Sequence, residues 1–201
     1  MKKIISDTFK YIFNDNEWFN KILVGGMYIP AAVCGIGIIM INGFIVEFMK
    51  GIATPHSKMP YWRNSKHLFQ TGWKVSAALF LYYGVAVGTA LISGVRFFSV
   101  SMGSIFFVLL LTLHPLILSV YASHGTFVSC FTFSFLRKFV IQHWKRIIPS
   151  LLFSALFISV SLLFGWMWIV VGWPLLIFLS LLVQNGMLMV IFSSHLESHS
   201  S

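Results

Sequence analysis

The stretch ILVGGMYIPAAVCGIGIIMINGFIVEFM, Ile22 to Met49, decides how this chain is threaded. It is apolar nearly throughout, yet it holds Pro30, a series of glycines and, close to its end, Glu47. Either it crosses a bilayer once, or it enters and returns to the side it left. Two half-helices of about 14 residues are each too short to span about 30 Å of hydrocarbon. Pro30, Gly25, Gly26, Gly35 and Gly37 supply the break points such a hairpin needs. Flanking charge weighs between the two readings, because segments on the cytoplasmic side carry the excess of Lys and Arg. Lys2, Lys3, Lys10 and Lys21 precede the stretch, and Lys50, Lys58, Arg63, Lys66 and Lys74 come after it. Cations on both flanks favour the hairpin. Asp15 and Glu17 partly offset the first group and keep the single crossing open.

The whole chain fits a lipid solvent. Of its 201 residues 58% are hydrophobic and 9% charged, with a mean hydropathy of +0.86, where a soluble domain has about 25% charged residues. The apolar runs are continuous rather than alternating, which argues for helices and against a β-barrel. The expected fold class is therefore all-α: a polytopic helical membrane protein with four full transmembrane helices, an N-terminal broken or re-entrant apolar hairpin, and interfacial amphipathic helices. The expected segments are an interfacial helix at 1–21, the membrane stretch 22–49, a cytoplasmic connection at 50–74, spans at 75–95, 100–122, 149–164 and 173–192, and a basic interfacial helix at 135–148. The last two spans come from one uncharged run, Ile147–Phe192, which as a single helix would be roughly 65 Å long. It must fold back, and GWMWIVVGWP (Gly165–Pro174) has the Gly, Pro and Trp residues of an interfacial turn. Cations then alternate: only Arg96 lies between the second and third apolar runs, and Arg137, Lys138, Lys145 and Arg146 come after the third. Both termini are expected in the cytoplasm of a prokaryotic cell, with the chain in its inner membrane. Lys2 and Lys3 resemble the start of a signal peptide, but Asp7 and Lys10 interrupt the apolar core it would need, so no cleavage is expected.

The net charge of +9 is spread beside apolar runs, which points to anionic lipid head groups rather than nucleic acid. In FLRKFVIQHWKRII, Leu136, Phe139, Val140, Trp144, Ile147 and Ile148 share a helical face, and Arg137, Lys138, Lys145 and Arg146 take the rest as head-group contacts. Cys34 and Cys130 suit apolar filling better than a disulfide or a zinc site.

A family resemblance rests on a series of motifs. FNDNEWFNKILVGG (Phe13–Gly26) is succeeded by Asn42–Gly43, MPYWRN (Met59–Asn64), LFQTGWK (Leu68–Lys74) and GWPLLIF (Gly172–Phe178). In this order they resemble the bacterial and archaeal membrane family named domain of unknown function 4013. The resemblance implies a polytopic membrane architecture and no particular activity. Arg63 and Asn64 stand where that family tends to carry acidic residues.

Few side chains are placed to do chemistry. His114, before Pro115 in the third span, is a candidate ligand for haem or a chlorophyll-type pigment. Its plainer reading is a neutral imidazole bonded to a neighbouring helix. Asn42 and Glu47 in the first stretch, and Gln184 and Asn185 in the last span, are candidates for a substrate site or for helix-to-helix hydrogen bonds. Gly84 and Gly88 permit close helix contact. HLESHS (His195–Ser200) is too short for a metal site, and no metal or other cofactor is expected. No phosphate loop, nucleophile elbow, HExxH or CxxC occurs. The expectation is a non-enzymatic accessory, assembly or interaction subunit working with other membrane proteins and binding lipid or pigment. The rival is a small transporter, channel or lipid-translocating protein built on the broken first segment.

Overall fold

The computed structural model describes residues 2–54, 57–92, 113–165 and 172–200, and all regular structure among them is helical. The long helices are α1 (Lys2–Phe13), α2 (Trp18–Ala31), α3 (Ile36–Ile52), α4 (Ser65–Ile92), α5 (113–124), α6 (Phe133–Gly165) and α7 (Gly172–Ser200). Residues 93–112, with Arg96 and the expected turn between spans 75–95 and 100–122, lie outside the described residues. So do 166–171, with Trp166 and Trp168, and His56.

The stretch 22–49 is a helical hairpin. Helix α2 runs through Pro30, a 3-10 turn comes next at Ala32–Cys34, and α3 starts at Ile36. Gly35 makes the corner with φ +77°, a conformation that a side chain disfavours. The base of the hairpin is closed by its flanks. The Tyr11 hydroxyl donates to the Lys58 carbonyl at 2.8 Å, and the Trp62 indole N–H donates to the Lys21 carbonyl at 2.8 Å. Trp62 also stacks between Tyr28 and Phe44, at 4.9 and 4.2 Å between ring centres.

Helices α3 and α7 carry the core. Phe44, Phe48 and Met49 of α3 are buried with Phe178, Leu182 and Met187 of α7. Helices α1, α2, α3 and α6 all pack on α7, and α4 packs on α3. The α3–α4 contact is backbone on backbone. A Cβ on Gly43 would collide with the Leu68 carbonyl, and one on Gly72 would meet the Ile39 carbonyl and sit 2.8 Å from the Gly43 nitrogen. Among the described residues, Gly172–Ser194 is the segment long and apolar enough to cross a membrane.

Three boundaries differ from expectation. The N-terminal 1–21 segment is two helices, because Asp15 turns the chain: its carboxylate accepts the Glu17 N–H at 2.8 Å, an alternative to continuing the helix. The 50–74 connection is shorter than expected, since α3 runs to Ile52 and α4 starts at Ser65, where the Asn64 carbonyl accepts the Leu68 N–H. The basic segment 135–148 is the first half of α6 rather than an element of its own. Pro149 costs one backbone hydrogen bond, and packing along α7 carries the helix past it. Leu136, Phe139 and Ile147 are buried there, whereas Trp144 and Ile148 are exposed.

Candidate functional site

Beside the corner of the hairpin, α3, α4 and α5 enclose a groove of about 640 Å³. Its walls include Ile38, Trp73, Phe80 and Leu81, and Gly35 stands at one end. Four polar residues line or underlie it, and the helix period brings them together. Ser76 and Tyr83 are two turns apart on α4, Asn42 is two turns beyond Gly35 on α3, and His114 lies in the first described turn of α5.

These residues form one chain of hydrogen bonds. The Asn42 amide nitrogen donates to the Ser76 hydroxyl at 3.0 Å. The Asn42 amide oxygen lies 3.2 Å from His114 Nε2, and the Tyr83 hydroxyl lies 3.0 Å from His114 Nδ1. An amide oxygen only accepts, so Nε2 carries the ring proton and Nδ1 accepts from Tyr83. Every donor then points the same way, from Tyr83 through His114 and Asn42 to Ser76. With both ring nitrogens engaged, axial ligation of a haem or chlorophyll-type metal would first have to break one of these bonds. Among the described residues no group of three metal-ligating side chains occurs.

The other expected site residues fall elsewhere. The Glu47 carboxylate is 2.7 Å from the Lys50 ammonium and 3.3 Å from His67 Nε2, toward the base of the hairpin. Gln184 and Asn185 are buried on α7, where the Asn185 amide donates to the Leu181 carbonyl at 2.8 Å. Arg137, Lys138, Lys145 and Arg146 are exposed along the first half of α6. Thus the structure unites Asn42 with His114 and separates both from Glu47, Gln184 and Asn185. Ser76 and Tyr83 are site residues that the sequence alone does not single out, although their seven-residue spacing puts them on one helical face.

A second polar cluster sits at the hairpin base. Asp15 and Lys21 form a buried ion pair at 2.8 Å, with side chains 4% and 3% exposed. Lys21 donates to the Met59 carbonyl at 2.8 Å, and Asp15 accepts the Met59 N–H at 3.2 Å. The ammonium lies 3.6 Å from the centre of the Tyr61 ring. Burial opposes ionisation of Asp15, but the hydrogen bond from Lys21, the Glu17 and Met59 amides and the Lys21 charge outweigh it and hold the carboxyl below its usual value.

Comparison with models of known protein families, with curated proteins and with solved structures gives no match for this chain.

Proposed function

We propose that this is a non-enzymatic integral protein of a prokaryotic cytoplasmic membrane, a subunit that holds a lipid-like molecule in the α3–α4 groove. The observation that carries the reading is the groove itself, whose walls are apolar and whose polar groups are neutral and converge at one place. Small-molecule sites combine those two features. In this proposal 75–95, 100–122, 149–164 and 173–192 cross the bilayer, while 22–49 enters and returns. Large apolar side chains face outward along these segments: Val33 at the hairpin corner is 93% exposed, Phe80 75% and Leu163 74%. A protein surrounded by water rarely presents so much apolar surface. Irregular backbone at membrane depth must be shielded by protein or line a cavity, and Gly35 lines the groove.

The exposed cations of α6 meet anionic head groups in this arrangement. Kinship with the domain of unknown function 4013 family belongs to the same proposal. Its support is that motif residues far apart in sequence converge, Asp15 and Lys21 on Met59, Gly25 on Phe178, and Gly43 on Gly72. A second reading, movement of lipid between leaflets, is favoured by one observation, that the groove reaches the hairpin corner.

Purification in a mild detergent, with identification of every bound lipid and protein, tests the proposal. The expected result is a retained lipid and a stoichiometric membrane partner, with the lipid lost from a folded Ala77→Trp variant whose indole fills the groove. A protein that elutes free of both contradicts it. Lipid transfer between leaflets of reconstituted vesicles, abolished by the same variant, would replace the subunit reading with the second.

A further inference from the structure

We propose that the occupant of the α3–α4 groove is a neutral lipid whose head presents a hydrogen-bond-accepting carbonyl to Ser76 and Asn42. This rests on the groove-binding function proposed for the protein and names its ligand class. The direction of the hydrogen-bond chain carries the inference. Ser76 accepts from Asn42, so its own O–H proton is directed elsewhere, and no bond donated by that hydroxyl occurs among the described residues. The Asn42 amide nitrogen has two protons, of which Ser76 takes one. Asn42 is only 2% exposed, and it lines the groove. A buried donor left without an acceptor is costly, and a ligand acceptor seated at this point satisfies both donors together.

The same lining argues against charged heads. The oxygen of Asn42 and both nitrogens of His114 are already engaged, and the acceptors that remain are the neutral hydroxyl oxygens of Ser76 and Tyr83. No Lys, Arg, Asp or Glu lines the groove among the described residues, so nothing neutralises a phosphate or a quaternary amine there. The tail of the ligand would lie along Trp73, Phe80 and Leu81, which are 58%, 75% and 52% exposed and open the groove sideways toward hydrocarbon. Two kinds of membrane molecule share this chemistry, a prenyl-type quinone through its ring carbonyl and a diacylglycerol through its ester. His114 and Tyr83 are positioning residues: they hold the Asn42 oxygen, and so fix which way its amide faces.

The test uses the full chain in lipid nanodiscs, titrated calorimetrically with decyl-benzoquinone, dioctanoylglycerol, decylbenzene and dodecyl phosphate. The expected result is that at least one carbonyl probe binds about tenfold more tightly than decylbenzene, the effect of one well-placed hydrogen bond. Which carbonyl probe gains that margin separates quinone from ester. Ser76→Ala and His114→Phe should each erase the margin, so that each variant binds the carbonyl probe no more tightly than it binds decylbenzene, a selectivity loss that a general loosening of the fold would not produce. Nitrogen-15 NMR of the imidazole should show Nε2 protonated and Nδ1 bare. If all probes bind alike and Ala77→Trp abolishes them together, the groove reading survives and the carbonyl assignment fails. Tighter binding of dodecyl phosphate, or a His114 protonated at Nδ1, also overturns the assignment. If no probe binds, or if Ala77→Trp leaves binding intact, the groove reading falls and the assignment with it.

Discussion

The two polar clusters of this protein, one at the hairpin base and one beside its corner, are built on opposite principles. Asp15 and Lys21 are charged, and every neighbour that could satisfy them does so: Glu17 and Met59 donate to the carboxylate, the Met59 carbonyl receives the ammonium, and the Tyr61 ring covers it. Aromatic packing around Trp62 leads away from that cluster into the core. Asn42, Ser76, Tyr83 and His114 are neutral, and their chain ends at Ser76, which with Asn42 lines a cavity. A network that consumes all its own donors and acceptors is a fastener. One that ends in unspent donors beside apolar walls is a place for something else to bind. Charge marks the first, and a cavity marks the second.

If the base is a fastener, damage to it should be the most costly. Asp15→Ala leaves a buried ammonium without its partner and should lower stability by about 3–5 kcal/mol, read by thermal or denaturant unfolding in detergent. The double variant Asp15→Leu/Lys21→Met should recover most of that loss, because no charge is then stranded. A single variant as stable as the parent would strip the pair of its role. Acid should act on the same pair. The Asp15 carboxyl is held below its usual value of 3.8, so its stabilising contribution is complete above that pH and is lost as the pH falls below it through the native value. The double variant should lack this component of the acid loss.

Next in size is the α3–α4 contact on which the groove depends. Gly43→Ala drives a methyl into the Leu68 carbonyl and should cost about 3 kcal/mol. Within the neutral cluster the effects should be smaller. Asn42→Ala strands the His114 N–H for about 1–3 kcal/mol, and Tyr83→Phe removes one hydrogen bond for about 1 kcal/mol, both measured by unfolding. A larger penalty at Asn42 than at Asp15 would invert the roles given to the two clusters. Smallest for the fold is the exposed basic face. Replacing Arg137, Lys138, Lys145 and Arg146 with Gln should shift stability by no more than about 0.5 kcal/mol. It should nevertheless cut the anionic lipid that co-purifies, each charge being worth about 1 kcal/mol near such a surface.

Glycine and proline make the helical hairpin legible in the sequence. Gly35 is one of the break points they mark, and it has a positive φ. Half of the neutral cluster is legible too, since a polar Asn42 and an ionisable His114 in apolar runs are each conspicuous. Their meeting is not, because it joins residues 72 positions apart. Ser76 and Tyr83 are hidden for another reason: a serine and a tyrosine are ordinary in such helices, and only a shared face sets them apart. At the base cluster the sequence misleads. Lys21 reads there as a cation that marks the cytoplasmic side and Asp15 as its offset, whereas the two bury each other across a turn and both bond to the Met59 backbone. Charge statistics treat residues as solvated, so they are blind to a lysine that is 3% exposed. The continuity of α6 through Pro149 is hidden for a similar reason, as a proline signals a helix end only where packing does not hold the helix on both sides.

Side-specific thiol labelling tests the hairpin most directly. The variant lacking Cys34 and Cys130 would carry a single new cysteine, either Asn16→Cys or Lys58→Cys, both at exposed positions. Each would be treated with a membrane-impermeant maleimide in sealed vesicles of known orientation. The contacts of Asp15 and Lys21 with Met59 require both cysteines to react from the same side, which in the proposed topology is the cytoplasmic one. Reaction of Asn16→Cys and Lys58→Cys from opposite sides would mean that Ile22–Met49 crosses the membrane, and would contradict the hairpin and the groove built on its corner.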